Sequence, residues 1–194
     1  FGSAAVAAFS AASKIHMLSE QVAVSFGTAM ATYAGQNYGA GKAGRVREGL
    51  RKCALACEAI TLGIMVIMTA FGGVMSSWFI DGYHPEVIQQ AHLYLFISAL
   101  FYPALTMLFL YRNTLLGLGN GVTPMLAGVC ELLSRMIGAP VLGHFFGFTG
   151  LCWINPIAWV TASGLLFLSY RKTMRNIRPV DPTVDASDPN KIMN

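Results

Sequence analysis

Residues 92–111 read HLYLFISALFYPALTMLFLY, a run of twenty residues without Asp, Glu, Lys or Arg. The hydrocarbon core of a bilayer is about 30 Å thick, so a helix that crosses it needs roughly 20 mostly apolar residues. This run therefore predicts a membrane-spanning helix, which we expect over 90–116. The composition of the whole chain agrees, because 55% of its 194 residues are hydrophobic and 11% are charged, whereas soluble domains carry about 25% charged residues.

Four further apolar stretches flank this run, and each is long enough to cross a membrane. We predict them over 6–38, 53–80, 123–146 and 147–170. Strands fit poorly, because a barrel strand has about 10 residues of alternating polarity, whereas these stretches are longer and do not alternate. The sequence therefore predicts an all-α fold, a polytopic integral membrane helical bundle with five transmembrane helices.

Glycine and proline residues mark the breaks between the predicted spans. The fourth and fifth spans meet at Gly147 and Gly150 with so short a connection that they must form a hairpin. Pro103, Pro140 and Pro156 lie inside spans, where each removes a helix hydrogen bond and can serve as a bending point.

Basic residues concentrate on one side of the predicted spans. They lie in the segment 42–52 and after the fifth span, whereas the connections 76–90 and 144–150 contain no Lys or Arg. We therefore expect the C-terminus in the cytoplasm and Phe1 outside, in a multi-pass protein of the plasma membrane. The segment 176–194, rich in proline and aspartate, predicts a disordered cytoplasmic tail.

The same basic residues are explained by topology and by contact with lipid headgroups, so the lipid bilayer is an expected partner and nucleic acid is not. Five is an odd number of spans, and the chain starts with Phe1 rather than Met. We therefore expect the chain to be the C-terminal part of a larger membrane protein.

Four short motifs occur in a characteristic order along the chain. They are MATYAGQNYGAGK at 30–42, RNTLLGLG at 112–119, ELLSR at 131–135 and NPIAW at 155–159. This combination resembles the MATE (multidrug and toxic compound extrusion) transporters. By this resemblance, residues 1–175 correspond to helices eight to twelve of a twelve-helix, two-lobe fold, without the seventh helix and the N-terminal lobe.

The resemblance implies a secondary active antiporter, not an enzyme, that exports small cationic, amphiphilic or aromatic compounds in exchange for Na⁺ or H⁺. It implies no cofactor beyond the coupling ion. The sodium-coupled branch of the family carries an acidic residue in its tenth helix, and residues 92–111 contain none. Many bacterial relatives carry an acid where this chain has His16, so both coupling ions stay open.

Three other functions are compatible with the sequence. A flippase of the same superfamily, which moves a lipid-linked substrate, would need more basic residues inside its spans than Lys14 and Arg135. A membrane enzyme would need a nucleophile or metal constellation near one interface, and His84 and His144 are isolated in the sequence. The chain could also be an inactive, truncated membrane protein.

Ionisable residues inside a span are costly, and each is by default a candidate for a functional site. His16 and Glu20 are four residues apart, as are Glu131 and Arg135, and this spacing puts each pair on one helix face. Our ion-coupling candidates are His16, Glu20 and Glu131. Further residues are candidates for a structural clamp or a cavity lining: Arg135, Arg112, Asn113, Tyr111, Gln36 and Asn37.

Two other groups of side chains receive a structural interpretation. Glu58 lies close to the basic segment, so we expect it to pair with Arg51 or Lys52 at the membrane interface. Cys53 and Cys57 share a helix face, but no His or further Cys completes a metal site. We therefore expect no metal, and interpret all four cysteines as small apolar fillers.

Overall fold

The computed structural model describes residues 2–79 and 85–177, with side chains described from residue 6 onward. The predicted outer loop around Gly82 and nearly all of the predicted disordered tail lie outside these residues. Within them the chain forms helices and no strand, which confirms the all-α class. The helices are α1 (Gly2–Gly39), α2 (Ala43–Ser77), α3 (Pro85–Leu100), α4 (Tyr102–Gly117) and α5 (Val122–Asn176).

A tight turn joins α1 to α2. Gly41 has a φ of 71°, a left-handed conformation that glycine adopts without strain. The amide of Gly41 donates to the carbonyl of Tyr38 at 2.9 Å, and that of Lys42 donates to Asn37 at 2.8 Å. This pair of bonds is a Schellman motif, which satisfies the last carbonyls of α1 and ends the helix.

The predicted third span is not one continuous helix. The chain breaks at Phe101 into α3 and α4, whose axes differ by 53°. Pro103 lies in the first turn of α4, where it needs no N–H partner, whereas a continuous helix would bring its ring against the carbonyl four residues earlier. The bend therefore lies just before this proline, which the sequence marks as a bending point, and the two helices together qualify as one broken span.

The chain reverses direction within α5 at Gly147, where the sequence predicts the hairpin. Gly147 has a φ of 59° and a ψ of −141°, which separates a first arm (122–146) from a second arm (148–176). The arms run antiparallel, since the Ser169 hydroxyl donates to Thr123 Oγ1 at 2.9 Å. Gly150 allows the close return, because a Cβ there would collide with the Leu142 carbonyl oxygen.

Two helices in the described part of the chain, α2 and α5, are long and apolar enough to cross a membrane, and α3 with α4 qualifies as one broken span. The 38-residue α1 is long enough but less apolar, since it carries Lys14, His16 and Glu20. α1 packs against α2, α3 and α4, while α5 packs against α3 and α4. Of the polar side chains of α1, His16 is therefore buried within the bundle, whereas Lys14 is exposed.

Small residues allow α1 and α4 to approach closely. A Cβ at Gly117 would collide with the carbonyl oxygen of Ala31, and one at Gly27 would lie 2.7 Å from Asn113 Nδ2. Close backbone contact through small residues is the usual way in which membrane helices associate. It holds α4 against α1 and so fixes the geometry of the site described next.

Candidate functional site

His16 packs against two aromatic rings from other helices, which also lie next to each other. Its ring lies 5.3 Å from that of Trp159 in the second arm of α5, and 5.5 Å from that of Tyr102 in α4. Both pairs are nearly parallel, at 27° and 28°. His16 Nδ1 also lies 3.0 Å from the Tyr102 hydroxyl, in a buried hydrogen bond. Three elements thus fix the position and orientation of this imidazole.

A second tyrosine completes the aromatic surroundings of His16. Tyr94 of α3 packs edge-on against it at 6.4 Å, and the Asn155 amide donates to the Tyr94 hydroxyl at 3.0 Å. Tyr94 is 2% exposed, so this hydrogen bond satisfies a hydroxyl that has no access to water. The bond also joins α3 to the second arm of α5.

Glu20 is the more accessible partner of His16. Its Oε2 lies 3.9 Å from His16 Nε2, which is too long for a hydrogen bond. The Glu20 side chain is 30% exposed, against 10% for His16. The structure therefore brings the two predicted residues together as a fixed imidazole beside a carboxylate that solutes can reach.

Glu131 is bound more closely by a different arginine from the one its spacing suggests. Arg112 of α4 donates from Nη2 to Glu131 Oε1, whereas Arg135 stays 3.6 Å from Oε2. The spacing predicts the pair of Glu131 with Arg135, which lies within 4.0 Å, but it does not predict the closer contact with Arg112 from a neighbouring helix. Arg135 is left half-exposed.

These charged groups form one cluster, which we call the α1–α4–α5 charge cluster: Glu20, Arg112, Glu131 and Arg135. Ion pairs within 4.0 Å join Glu131 to Arg112 and Arg135, and Glu20 lies farther away but within reach of their electrostatic field. With Glu20 ionised and His16 neutral, two carboxylates balance two guanidiniums. Charge balance matters here, because an excess charge inside a membrane protein is costly.

A cavity of about 400 Å³ adjoins the cluster between the start of α1 and the hairpin of α5. Small-molecule sites usually have volumes of about 300–1,000 Å³. Arg135 and Asn155 are its polar wall, while residues such as Phe9, Phe148 and Ile154 make the rest apolar. The cavity can therefore accommodate a small amphiphilic molecule next to the charge cluster.

Four other predicted residues lie away from this cluster. Gln36 and Asn37 are at the far end of α1, about 30 Å along the helix from His16. The Asn113 amide donates to the carbonyl of its own helix at Phe109. Tyr111 packs instead against Phe167 and Tyr170, with ring centroids 5.5 Å and 5.4 Å away.

The sequence predicts that Glu58 pairs with Arg51 or Lys52, but the structure shows neither pair. Lys52 Nζ lies 2.7 Å from Glu48 Oε1, one turn earlier on α2. The hydrogen bond and charge of Lys52 hold the pKa of the Glu48 carboxyl below its usual range. Glu58 lies six residues beyond Lys52, which puts it on a different face of the helix.

The cysteines of the described chain are all free. Cys57 and Cys152 are buried and Cys53 is half-buried, as expected of small apolar fillers, but Cys130 is exposed. Among residues 2–79 and 85–177, no group of three or more His, Cys, Asp or Glu side chains could hold a metal ion.

Tyr102, Trp159, Tyr94 and Asn155 did not figure among the predicted site residues. Each of these side chains carries a polar group within an apolar stretch of sequence. Such groups need partners in a membrane, and this could have identified the four residues. The sequence did indicate His16, which contacts Tyr102, Trp159 and Tyr94.

A comparison with protein families agrees with the resemblance that the sequence motifs show. The model of the MatE family matches residues 1–141, which is 141 of 194 residues and includes the whole α1–α4–α5 charge cluster. Trp159 and Asn155 lie beyond the match. No curated protein matches the chain. The chain belongs to the MatE family of polytopic membrane transporters.

Proposed function

We propose that the chain is part of a secondary active antiporter that exports cationic or amphiphilic compounds in exchange for H⁺ or Na⁺, and that Glu20 carries the exchange. The observation behind this proposal is the position of Glu20. It is a partly accessible carboxylate beside a fixed imidazole and two arginines, within a protein of a transporter family.

Glu20 differs from Glu131 in the freedom of its carboxylate. Glu131 is committed to Arg112 and is 12% exposed, so a proton or cation would have to break an ion pair to reach it. Glu20 has no Lys or Arg within 4.0 Å among the described residues. It can therefore accept and release a cation without disrupting the bundle.

The charge balance of the cluster favours exchange over cotransport. One proton, one Na⁺ or one monovalent organic cation at Glu20 adds a single positive charge. A second cation would face the first across a medium of low dielectric constant, where the repulsion is much stronger than in water. Substrate and coupling ion therefore compete for the same carboxylate, which is the requirement for antiport.

His16 acts as a positioning residue in this proposal. Its imidazole packs against Tyr102 and Trp159 and forms a hydrogen bond with the Tyr102 hydroxyl. It limits where the Glu20 side chain can lie and gives it a polar neighbour at 3.9 Å.

The rest of the proposal concerns the larger protein. Alternating access requires two bundles that move around a shared site, so we propose that a seventh helix and an N-terminal lobe complete the transporter. Residues 1–194 alone are then expected not to transport. A flippase is disfavoured, because Glu131 and Glu20 together balance both arginines of the cluster and leave no surplus positive charge for an anionic headgroup.

The test compares Glu20→Gln with Glu48→Gln in the transporter that contains this chain. Glu48 is an exposed acid on α2 that pairs with Lys52, so it controls for the loss of a negative charge. We expect Glu20→Gln to reduce gradient-driven export of a cationic dye at least tenfold, and Glu48→Gln to leave it unchanged. Export by Glu20→Gln with unaltered H⁺ and Na⁺ dependence would disprove the assignment.

A further inference from the structure

Glu58 is an acidic residue within a predicted span that has no charged partner in the structure. Among the described residues, the ion pairs within 4.0 Å include none to its carboxylate. An ionisable group inside a membrane is costly unless it is paired or serves a function. Its surroundings therefore need an explanation.

Glu58 lies where the outward-facing side of α2 meets the side that packs in the bundle. Leu55 and Leu62, three residues before and four residues after it, are 64% and 45% exposed, as expected of side chains that contact lipid. Thr61, three residues after it, is 5% exposed. Glu58 is thus a half-buried acid at the lipid-facing edge of the bundle.

Glu58 also lines a cavity of about 480 Å³ formed by α2, α4 and the second arm of α5. It is the charged member of a lining that is mostly aromatic and apolar, with Met107, Tyr111 and Phe167 among its members and Ser163 as a further polar residue. The rings of Tyr111 and Phe167 lie 5.5 Å apart at 55°. Two aromatic faces and one carboxylate therefore border the same space.

This combination of groups suits an organic cation. A positive charge is attracted to the face of an aromatic ring as well as to a carboxylate, and the attraction grows where water is excluded. Phe167 already engages a cation, since the guanidinium carbon of Arg171 lies 5.6 Å from its ring centroid. A ligand with an apolar body would also bury that body against Met107 and Pro103.

We propose that Glu58, Tyr111 and Phe167 form a binding site for an amphiphilic organic cation that reaches it from the lipid phase. The site shares no lining residue with the cavity beside Arg135. Binding here requires no exchange at Glu20, so the inference goes beyond the proposed function.

The test measures equilibrium binding of radiolabelled tetraphenylphosphonium to residues 1–194 in phosphatidylcholine nanodiscs. All variants carry Glu20→Gln, which removes the other carboxylate that could bind this cation. We expect Glu58→Gln to weaken binding at least tenfold and Glu48→Gln to leave it unchanged. Tetraphenylborate, an anion of nearly the same size and shape, should not lose affinity with Glu58→Gln.

Two results would overturn the proposal: unchanged tetraphenylphosphonium binding by Glu58→Gln, or equal weakening by Glu48→Gln. If Glu58→Gln does not elute as a single folded species, the variant Phe167→Leu is measured in its place. We expect it to bind tetraphenylphosphonium at least threefold more weakly. Unchanged affinity of Phe167→Leu would overturn the proposed site. Because every variant lacks the Glu20 carboxylate, this outcome is independent of the export experiment that tests the proposed function.

Discussion

At the scale of single residues, His16 shows how a polar side chain is accommodated inside a membrane bundle. It is 8% exposed, yet its ring packs against those of Tyr102 and Trp159 and its Nδ1 has a hydroxyl at 3.0 Å. The Tyr102 hydroxyl is therefore the group that satisfies this nitrogen.

We predict that Tyr102→Phe destabilises the protein by about 1–3 kcal/mol, because a buried polar atom then loses its partner. Tyr38→Phe, at a 42% exposed position, is the control and should change stability little. Thermal unfolding of the two variants in the same lipid or detergent measures the difference. Equal melting temperatures for Tyr102→Phe and the unaltered chain would contradict the role given to this hydroxyl.

The sequence identified the charged candidates and their partners on the same helix, but not their partners on other helices. Spacing along one helix predicted the contacts of His16 with Glu20 and of Glu131 with Arg135, and both pairs lie within 4.0 Å. It could not reveal that Arg112 binds Glu131 more closely, because that contact depends on how α4 packs against α5. The same limit applies to the stacking of Trp159 on His16.

At the scale of elements, the Arg112–Glu131 ion pair ties α4 to the first arm of α5. We predict that Glu131→Gln destabilises the transporter by about 3–5 kcal/mol, because it leaves Arg112 with an uncompensated charge. The double variant Arg112→Gln with Glu131→Gln should recover much of this loss. Thermal unfolding tests both, and a double variant no more stable than Glu131→Gln alone would exclude the clamp.

The hairpin of α5 depends on one backbone conformation. At Gly147, φ is 59° and ψ is −141°, a combination open essentially to glycine alone. We predict that Gly147→Ala destabilises the protein by about 1–3 kcal/mol. Gly164→Ala, in the second arm with open space around the added methyl, should be neutral or stabilising. Similar unfolding temperatures for the two variants would show that the turn is not specified by Gly147.

The positions of the prolines do not by themselves determine where the helices break. Pro103 stands at the bend between α3 and α4, whereas Pro140 and Pro156 lie inside the two arms of α5, where Gly147 is the residue with non-helical dihedrals. The sequence marks all three as bending points but cannot distinguish them, because neighbouring helices decide which lost hydrogen bond is absorbed.

At the scale of the whole molecule, the amino-acid composition was sufficient to predict the fold class. A chain with 55% hydrophobic residues in long unbroken stretches has few alternatives to a helical membrane bundle. The arrangement of the helices was not predictable in the same way, since it depends on close contacts such as Gly117 against Ala31.

The orientation in the membrane follows from the basic residues of the segment 42–52 and stays a prediction. Single cysteines at Ala43 and Gly82, in a background without the four native cysteines, should react with an impermeant maleimide from opposite sides of intact cells. We expect Gly82→Cys to be labelled from outside. Labelling of both from the same side would rule out this topology.

Competition between substrate and coupling ion at Glu20 can be measured directly by counting the ions that substrate binding displaces. The experiment uses the purified transporter with Glu58→Gln, so that the second proposed cation site does not contribute. Tetraphenylphosphonium is added in weak buffer, and released protons, or displaced ²²Na⁺ when sodium is present, are recorded. We predict about one cation released per cation bound, since charges of like sign repel strongly at low dielectric constant, and no release after Glu20→Gln. Substrate binding that displaces neither ion, or equal release with and without the Glu20 carboxylate, would contradict the exchange.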